Sequence, residues 1–431
     1  ADYICTDGEL PEELRKAIRD GNAVFMFAPG EYLIEGPSRA IYIGANTTVT
    51  GAYRLYQPYK QDEMLYPDPE LHAVFMTKTE LPSTEQCNDA QFGLITTNSG
   101  ARNIEIRDIA LSGYTVLKLN NTQKSKVSSV LIHNYRGKYP DGEWCNMGYG
   151  RATASFWLFG NCRGIDITNC QIQCSSHHGL ALHSGSRNFV SKDIKITGTR
   201  ALYCGSGMLR GSTEEEIKKS IEKMPETNGH GYVDWSVAYD LCENQSAENV
   251  TVEDCYALDG WKCGFYTEPE DTGGHLENIK LIRCRSEYNG RRALLKDSNP
   301  RVTIPRETEG SNYFFQGGYF EDCISIEAEK VGWLLWLNRT GANKMDNGKI
   351  LMVNCGDYKS PISLATDYVI TDAGGLHTKG FWSLNPSNYA MSLYGFDDFK
   401  LEDTILLCSN TKKPPIRIGY MLSLQFHESR D

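Results

Sequence analysis

The chain has 431 residues, of which 40% are hydrophobic and 23% are charged, and its formal net charge is −11. This is the composition of a globular protein with a large core, which excludes intrinsic disorder and collagen. The acidic balance argues against nucleic acid and anionic lipid as partners, since both call for a basic surface. The apolar runs are too short to span a bilayer, so we expect no membrane insertion.

The first predicted element is a short amphipathic helix between Pro11 and Gly21. Proline is favoured at a helix start and glycine just beyond its end, and Leu14, Ala17 and Ile18 fall on one face. We expect this helix to cover the open end of the structure that follows.

A repeated pattern of short strands occupies most of the chain. Each strand alternates apolar and polar residues and then reaches a polar turn residue. The aligned turn residues are Asp108, Asn169, Asp193, Asp254, Arg283, Asp322, Asn354 and Asp403. The tightest intervals, 24 and 29 residues, correspond to one coil of a solenoid. The sequence therefore predicts an all-β fold, a right-handed single-stranded parallel β-helix of about ten coils with inserted loops.

Cysteine follows five of these turn residues, at Cys170, Cys255, Cys284, Cys323 and Cys355. A chain of this size does not need disulfides, and no CxxC pair suggests a metal site. We interpret the five residues as stacked, buried thiols that behave as small hydrophobic side chains.

We predict a single domain over residues 1–431, with an N-terminal cap over 1–23 and an inserted helical loop over 205–233. Within the insertion, Ser212 is a candidate N-cap, Glu215 follows three residues later, and Pro225 ends the helical spacing. The insertion is either a lid over the solenoid or a cover for a sheet edge.

A second strand of each coil supplies the candidate chemistry. Four five-residue segments share one frame whose last residue should point outward, and these last residues are His183, Asp240, Glu268 and Lys296. Because the last three follow one another at 28-residue intervals, we expect an acid-acid-base ladder with neighbouring side chains about 5 Å apart. Paired acids beside a base indicate a catalytic site, and the alternative is a solvated surface ladder.

Polar and aromatic residues surround this ladder. Aromatic rings beside carboxylates on a long exposed face suit stacking against sugar rings, although each Trp is equally a candidate for structural packing. The predicted substrate-binding residues are His183, Asp234, Trp235, Trp261, Lys262, Tyr266 and Arg292.

The N-terminal helix is followed by a strand and by Ala28-Pro-Gly-Glu-Tyr32. This arrangement resembles the pectate-lyase-like family of right-handed parallel β-helices, whose members often carry a cap helix followed by a Pro-x-Gly-x-Tyr-type turn. The resemblance spans nearly the whole chain as architecture and does not name a substrate.

The ladder itself is similar to the sites of chondroitinase B-like and alginate lyase-like enzymes. Asp240, or Asn244, stands on one coil and Glu268-Pro-Glu270 on the next. The resemblance implies a calcium ion held by Asp240, Glu268 and Glu270.

The same resemblance implies two basic catalytic residues. His275 lies near the position at which those enzymes have Lys, and Lys296 lies near the position at which they have Arg. Asp240, Glu268, Lys296 and His275 are therefore the predicted catalytic residues.

Three functions follow, all with a polysaccharide as partner. The first is β-elimination of an acidic, uronate-containing polysaccharide, with Ca²⁺ as the possible cofactor. The second is glycoside hydrolysis with Asp240 and Glu268 as the carboxylate pair, and the third is non-catalytic glycan binding at a cell surface. The absence of a Gly-rich phosphate loop excludes a nucleotide cofactor. Five Asn-X-Ser/Thr sequons favour a secreted or cell-surface protein.

Overall fold

The structure is a computed structural model, and it describes residues 1–6, 8–55, 64–77, 93–113, 115–134, 154–175, 178–184, 188–204, 215, 237–243, 245–268, 274–290, 310–336, 350–367, 375–393, 398–409, 413–418 and 425–426. Most of these residues lie in short strands. No helix among them is long and apolar enough to cross a membrane.

The predicted N-terminal helix is confirmed as α1, which spans Glu12–Asp20. Ile18 is fully buried in the core, and Leu14 and Ala17 pack against the same cluster. The helix ends at Gly21, whose backbone N–H donates to the Ala17 carbonyl. The apolar face of α1 thus covers the first coil, as the amphipathic pattern predicts. A short 3₁₀ helix follows at Pro37–Arg39.

The described strands form three parallel sheets. The first sheet contains, in spatial order, β1 Tyr3–Cys5, β3 Val24–Phe27, β6 Thr48–Gly51, β9 Glu105–Arg107, β12 Gln123–Ser128, β15 Arg163–Thr168, β18 Val190–Thr197, β21 Ser246–Glu253, β24 Leu276–Ile282, β27 Gly318–Glu321, β30 Ile350–Val353, β33 Gly375–Lys379, β36 Asp398–Glu402 and β39 Gln425–Phe426. The second contains β2 Gly8–Glu9, β4 Gly30–Leu33, β7 Ala73–Met76, β10 Ile109–Gly113, β13 Leu131–Asn134, β16 Gln171–Gln173, β19 Arg200–Leu202, β22 Tyr256–Leu258, β25 Arg285–Glu287, β28 Ile324–Ile326, β31 Gly356–Tyr358, β34 Trp382–Leu384 and β37 Ile405–Leu407. The third contains β5 Ile41–Ile43, β8 Gly93–Thr97, β11 Thr115–Asn120, β14 Ala154–Phe159, β17 His178–His183, β20 Val237–Glu243, β23 Cys263–Glu268, β26 Ser311–Phe315, β29 Val331–Trp336, β32 Ile362–Asp367, β35 Tyr389–Leu393 and β38 Ile416–Ile418.

From β3 to β36 each strand pairs with the strand three elements later, so successive coils contribute one strand to each sheet, whereas β1 pairs with β3 and β2 with β4. Parallel crossovers of this kind are right-handed in nearly all proteins. The chain therefore has the predicted right-handed parallel β-helix fold. Its three sheets hold 14, 13 and 12 described strands, which is more coils than the ten expected from the sequence.

The turn before the second sheet repeats a left-handed backbone conformation. Asn169 and Asp254 have φ values of 52° and 53°, and the backbone bonds of successive coils place Gly198 between them. The sequence alignment assigned Asp193 to this position, which was wrong. Asp193 lies inside β18 and accepts a hydrogen bond from the Asn249 side chain at 2.9 Å. Both turns of the coil use a polar residue with positive φ before an apolar residue, so the local pattern did not distinguish them.

The cysteine interpretation is confirmed for the described residues. The twelve cysteines among them are all free, and the five that follow turn residues are at most 1% exposed. The backbone N–H of Cys284 lies 3.4 Å from the Cys323 sulfur of the next coil. The thiols therefore stack inside the solenoid without being oxidised.

The inserted loop predicted at 205–233 lies outside the described residues except for Glu215, which is helical. The single-domain boundaries at 1–431 and the cap at 1–23 remain predictions.

Candidate functional site

The third sheet carries an irregular strand, β20. Ala181 of β17 pairs with Asp240 of β20, and His183 of β17 pairs with Glu243 of β20. Two residues of β17 thus correspond to three residues of β20. The same extra residue appears against β23 on the other side, where Tyr266 pairs with Asp240 and Glu268 with Glu243. The strand therefore contains a β-bulge between Asp240 and Glu243.

The bulge changes which side chains face outward. In a regular strand residues three apart point to opposite faces. Here both intervening residues, Leu241 and Cys242, are buried in the interior cluster. Asp240 and Glu243 consequently lie on the same outward side of the sheet, where two histidines of β17 meet them.

The four side chains converge on one point. His178 Nε2 lies 3.3 Å from Glu243 Oε2 and 3.9 Å from Asp240 Oδ2. His183 Nδ1 lies 3.6 Å from Glu243 Oε2 and 3.8 Å from Asp240 Oδ2. One nitrogen or oxygen of each residue can be chosen so that all four lie within 4.8 Å of one another. We call these four residues the His–acid cluster.

Contacts to the backbone of β17 hold this strand in place beneath the cluster. The Trp157 indole N–H donates to the His183 carbonyl at 2.7 Å. Gly179 lies so close to β20 that an added Cβ would be 2.5 Å from the Ala238 carbonyl oxygen. Glycine is required there because any side chain would push the two strands apart.

The cluster is almost closed to solvent. His178 and Asp240 are fully buried, whereas the side chains of Glu243 and His183 keep 14% and 16% of their exposure. Within the part of the chain that the structure describes, neither Asp240 carboxylate oxygen nor His183 Nδ1 has a hydrogen-bond partner. Buried polar groups are normally hydrogen-bonded, so this arrangement is unusual for a structural cluster.

The pKa values of the two acids in the cluster are shifted in opposite directions. Burial, helped by the negative charge of Glu243, raises the pKa of Asp240 well above its ordinary value. Burial also acts to raise the pKa of Glu243, but the interactions of its carboxylate with His178 and His183 outweigh it and hold that pKa well below its usual range. One acid therefore favours the protonated form and the other the ionised form.

The pKa values of the two histidines are also shifted in opposite directions. Burial lowers the pKa of His178, although Glu243 opposes the shift. Burial also acts to lower the pKa of His183, but Asp240 and Glu243 outweigh it and raise that pKa to about 10. In this arrangement His183 carries the positive charge that balances Glu243.

The predicted ladder is corrected by the register of β20. Asp240 does point outward, but its neighbour in β23 is Tyr266, not Glu268. Glu268 pairs instead with Glu243, so the frame that aligned Asp240 with Glu268 and with His183 was wrong. The physical reason is the bulge, together with an alignment of β20 that was displaced by two residues.

Three predicted substrate-binding residues are buried. Trp261 is 2% exposed, Tyr266 is 1% exposed and Lys262 is 4% exposed. Lys262 Nζ lies 3.1 Å from the Tyr266 hydroxyl and 4.5 Å from the ring centre. The expectation of exposed aromatic faces is therefore wrong for Trp261 and Tyr266. The Tyr266 ring stacks on Phe314 of the next coil with ring centres 5.0 Å apart.

His275 lies on a different sheet from the cluster. It precedes β24 in the first sheet, and its Nε2 is 2.9 Å from Glu248 Oε1. Glu277 stands close enough to these two residues for a second possible metal-binding group. Glu248 is already engaged by Lys192 at 2.8 Å, so this group is a surface ion-pair network.

The remaining predicted residues lie outside the described part of the chain, and these are Asp234, Trp235, Glu270, Arg292 and Lys296, together with the side chain of Glu268. Their assignment to substrate, calcium or catalysis remains a prediction. Of the predicted site residues, the structure brings together His183 and Asp240.

Two cluster members, His178 and Glu243, were missed by the sequence analysis. Glu243 lies three residues after Asp240, a spacing that a regular strand would place on the other face. The available signal was the pair Leu241-Cys242, two consecutive core-type residues where alternation predicts one.

Comparisons with known proteins gave matches among solved structures only. No protein-family model matches the chain, and no curated protein matches it by sequence. Among solved structures, the polygalacturonase from Erwinia carotovora ssp. carotovora is similar over 98% of this chain and 96% of its own, with 9% identity and a TM-score of 0.46. Pectate lyase Pel9A is similar over 87% of this chain and 69% of its own, with 10% identity and a TM-score of 0.40.

The catalytic domain of a GH87 α-1,3-glucanase is similar over 95% of this chain, with 12% identity and a TM-score of 0.40. The chain spans 65% of that domain's length. Identities at this level transfer no activity, so the chemistry has to be read from the site itself.

Proposed function

We propose that the protein is a polysaccharide-degrading enzyme whose active centre is the His–acid cluster. The observation that carries this proposal is the buried, outward-facing Asp240, whose carboxylate has no hydrogen-bond partner among the described residues. Such a group lowers stability unless a ligand or a reaction uses it. Functional sites are where proteins retain groups of this kind.

The fold supports a polymeric substrate. Twelve described strands of the third sheet stack side by side, which gives an outward surface about 50 Å long at the usual strand spacing. Solenoids use such extended faces to bind long ligands. Glu243 and His183 are the partly exposed members of the cluster, so they are the residues that face the polymer.

For the reaction we propose β-elimination of a uronate-containing polysaccharide. The base removes the proton α to the uronate carboxylate, the electron pair of that C–H bond forms a C=C bond, and the glycosidic oxygen at the β-carbon leaves and takes up a proton. The positive charge of His183 is already balanced by Glu243, so the four residues of the cluster leave no net positive charge for a substrate carboxylate. A bound divalent cation would neutralise that carboxylate and stabilise the enolate that forms. Of the two basic catalytic residues predicted from the sequence, His275 contacts Glu248 of the first sheet, so Lys296 is the candidate base.

Hydrolysis is the second candidate, and a specific distance favours it. Carboxylate oxygens of Asp240 and Glu243 lie within 4.8 Å of each other, close to the separation of about 5 Å that retaining glycosidases use. In this reaction Glu243, the ionised acid, would attack the sugar. The pair replaces Asp240 and Glu268 as the carboxylates of the hydrolytic alternative.

A product assay distinguishes the candidates. The enzyme is incubated with polyuronates, glycosaminoglycans and neutral glucans, and products are followed by ultraviolet absorbance and by reducing ends. New reducing ends with conjugated absorbance support elimination, and reducing ends without absorbance support hydrolysis. Binding to these polymers without new ends would overturn the enzyme proposal and support the adhesin.

We also propose that the protein acts outside the cell, where such polymers occur. The five sequons support this location. Glycosylation of the protein purified from its natural source, measured by mass before and after glycosidase treatment, tests it.

A further inference from the structure

The His–acid cluster contains buried atoms that face one another without bonding. Asp240 is fully buried, and the structure describes no hydrogen-bond partner for either of its carboxylate oxygens or for His183 Nδ1. The two groups lie 3.8 Å apart, which is too long for a hydrogen bond. Donor atoms that converge at this spacing leave room for something between them.

The spacing suits one metal ion. His183 Nδ1 lies 3.6 Å from Glu243 and 3.8 Å from Asp240, and carboxylate oxygens of these two acids are no more than 4.8 Å apart. A point equidistant from three atoms so arranged lies about 2.0–2.4 Å from each, which includes the usual metal–nitrogen and metal–oxygen bond lengths. The three side chains can therefore bind one ion without rearrangement.

His178 has a different place in the arrangement. The Val237 backbone N–H donates to His178 Nδ1 at 3.2 Å, so a neutral ring carries its proton on Nε2. That nitrogen faces Glu243 Oε2 at 3.3 Å. His178 is therefore placed to donate to a ligating carboxylate and orient it, as outer-shell residues do around metals.

The donor set indicates the class of metal. Calcium and magnesium take oxygen ligands, whereas an imidazole nitrogen suits zinc and other first-row transition metals. One imidazole and two carboxylates would leave further coordination positions for water or substrate. His183 and Glu243 retain partial exposure, so solvent can reach this side of the cluster.

We propose that His183, Asp240 and Glu243 bind a divalent transition-metal ion, of which Zn²⁺ and Mn²⁺ are the first to test, and that His178 orients Glu243. The calcium site predicted from the sequence shares Asp240 with this one and otherwise uses Glu268 and Glu270. The role of the ion rests on the proposed function, but its binding does not, so each can fail alone.

Metal content tests the proposal without a substrate. The full chain is stripped with a chelator, dialysed separately against Zn²⁺, Mn²⁺ and Ca²⁺, and analysed by elemental mass spectrometry and titration calorimetry. We expect about one Zn²⁺ or Mn²⁺ per chain, bound at least about 100-fold more tightly than Ca²⁺. Failure to bind either transition metal, or tighter binding of Ca²⁺, would overturn the proposal.

Variants locate the ion. Asp240→Asn and His183→Ala should each lose it, whereas His178→Gln, which keeps a donor near Glu243, should weaken binding by no more than about 10–100-fold. Glu248→Gln, in the ion-pair network on the first sheet, is the matched control and should bind like the parent. Full occupancy in Asp240→Asn and His183→Ala would place the ion elsewhere and contradict the assignment.

A folding control keeps the result interpretable. Each variant is melted with and without the metal, and the rise in melting temperature on adding Zn²⁺ should be present in the parent and in Glu248→Gln and absent in Asp240→Asn. An equal rise in all three would refute the site. If the metal binds as described but no polysaccharide is cleaved, the proposed function fails and the metal site stands.

Discussion

Two fully buried aspartates, Asp357 on the second sheet and Asp240 on the third, have opposite surroundings. Ser325 and Ser360 hydroxyls donate to Asp357 Oδ1 at 2.5 and 2.6 Å. Ser363 Oγ and the Ser360 backbone N–H donate to Oδ2 at 2.8 and 3.2 Å. Asp240 has none of these bonds among the described residues.

The difference separates a structural acid from a functional one. One of these four hydrogen bonds comes from Ser325 of the preceding coil and three come from Ser360 and Ser363 of the same coil, so the Asp357 carboxylate is part of the packing of the solenoid. Asp240 lacks such bonds and faces two histidines and a second acid instead. A buried acid that makes no hydrogen bonds within the fold is available for a ligand or a reaction. It lowers the free energy of unfolding, and interactions elsewhere in the protein have to offset that loss.

The largest expected effect is on activity. Asp240→Asn should lower turnover about 10²–10⁴-fold, since it removes an ionisable carboxyl group from the reacting centre while keeping its shape. Asp357→Asn, assayed well below its melting temperature, should retain turnover near that of the parent. Equal losses in the two variants would erase the distinction between the two acids.

The next effect is on the free energy of unfolding, which we expect to fall more in the Asp357 variant than in the Asp240 variant. Asp357→Ala should lower the free energy of unfolding by about 3 kcal/mol, because three serine hydroxyls and a backbone N–H lose their acceptor. In chelator-treated protein, Asp240→Asn should unfold within about 1 kcal/mol of the parent or be more stable. Urea unfolding followed by tryptophan fluorescence measures both. A larger loss in Asp240→Asn than in Asp357→Ala would contradict the comparison.

The pH dependence of folding stability provides a third test, which is specific to Asp357. Burial raises its pKa from the ordinary 3.8 to about 6, against the opposing effect of its serine hydrogen bonds. Because the folded pKa lies above the unfolded one, the protonated form favours folding. This contribution is complete below about pH 4 and is lost as the pH rises through 6.

Between pH 7 and pH 5 the parent should therefore gain about 1 kcal/mol relative to Asp357→Asn. Urea midpoints of the two proteins across this interval provide the measurement. Parallel curves would show that Asp357 does not titrate there.

The smallest effect sharpens the comparison to one bond. Ser363→Ala removes a donor to Asp357 Oδ2 and a contact with the Ser383 hydroxyl at 2.7 Å. We expect a loss of about 1 kcal/mol, the usual value of one hydrogen bond. A thermal melt shows it, and no change would mean that the remaining donors suffice.

The fold was largely predictable because it repeats. Apolar alternation recurs in most coils and a turn residue before cysteine recurs in five of them, so errors in one coil did not alter the class. Asp193 shows the limit, since its local pattern equals that of a true turn, and only the pairing of β18 with β21 distinguishes them.

The site was less predictable because it depends on an irregularity. Asp240 and His183 were found from their outward positions, but Glu243 became their neighbour through a bulge that no repeat announces. His178 was missed because its tautomer and contacts depend on the Val237 backbone, which comes 59 residues later in the chain. Long-range register, rather than residue type, determined what the sequence could not show.

The stacked cysteines can report the order in which the coils of this solenoid open during unfolding. Burial raises the pKa of Cys170 to about 12, and a thiol reacts as its thiolate, so labelling has to wait for the coil around it to open. Because Cys170, Cys255, Cys284, Cys323 and Cys355 occur at successive heights along the axis, the order in which they are alkylated would record the direction in which the coils separate. A single mass spectrum taken during slow unfolding would thus report whether the solenoid opens from one end or all at once.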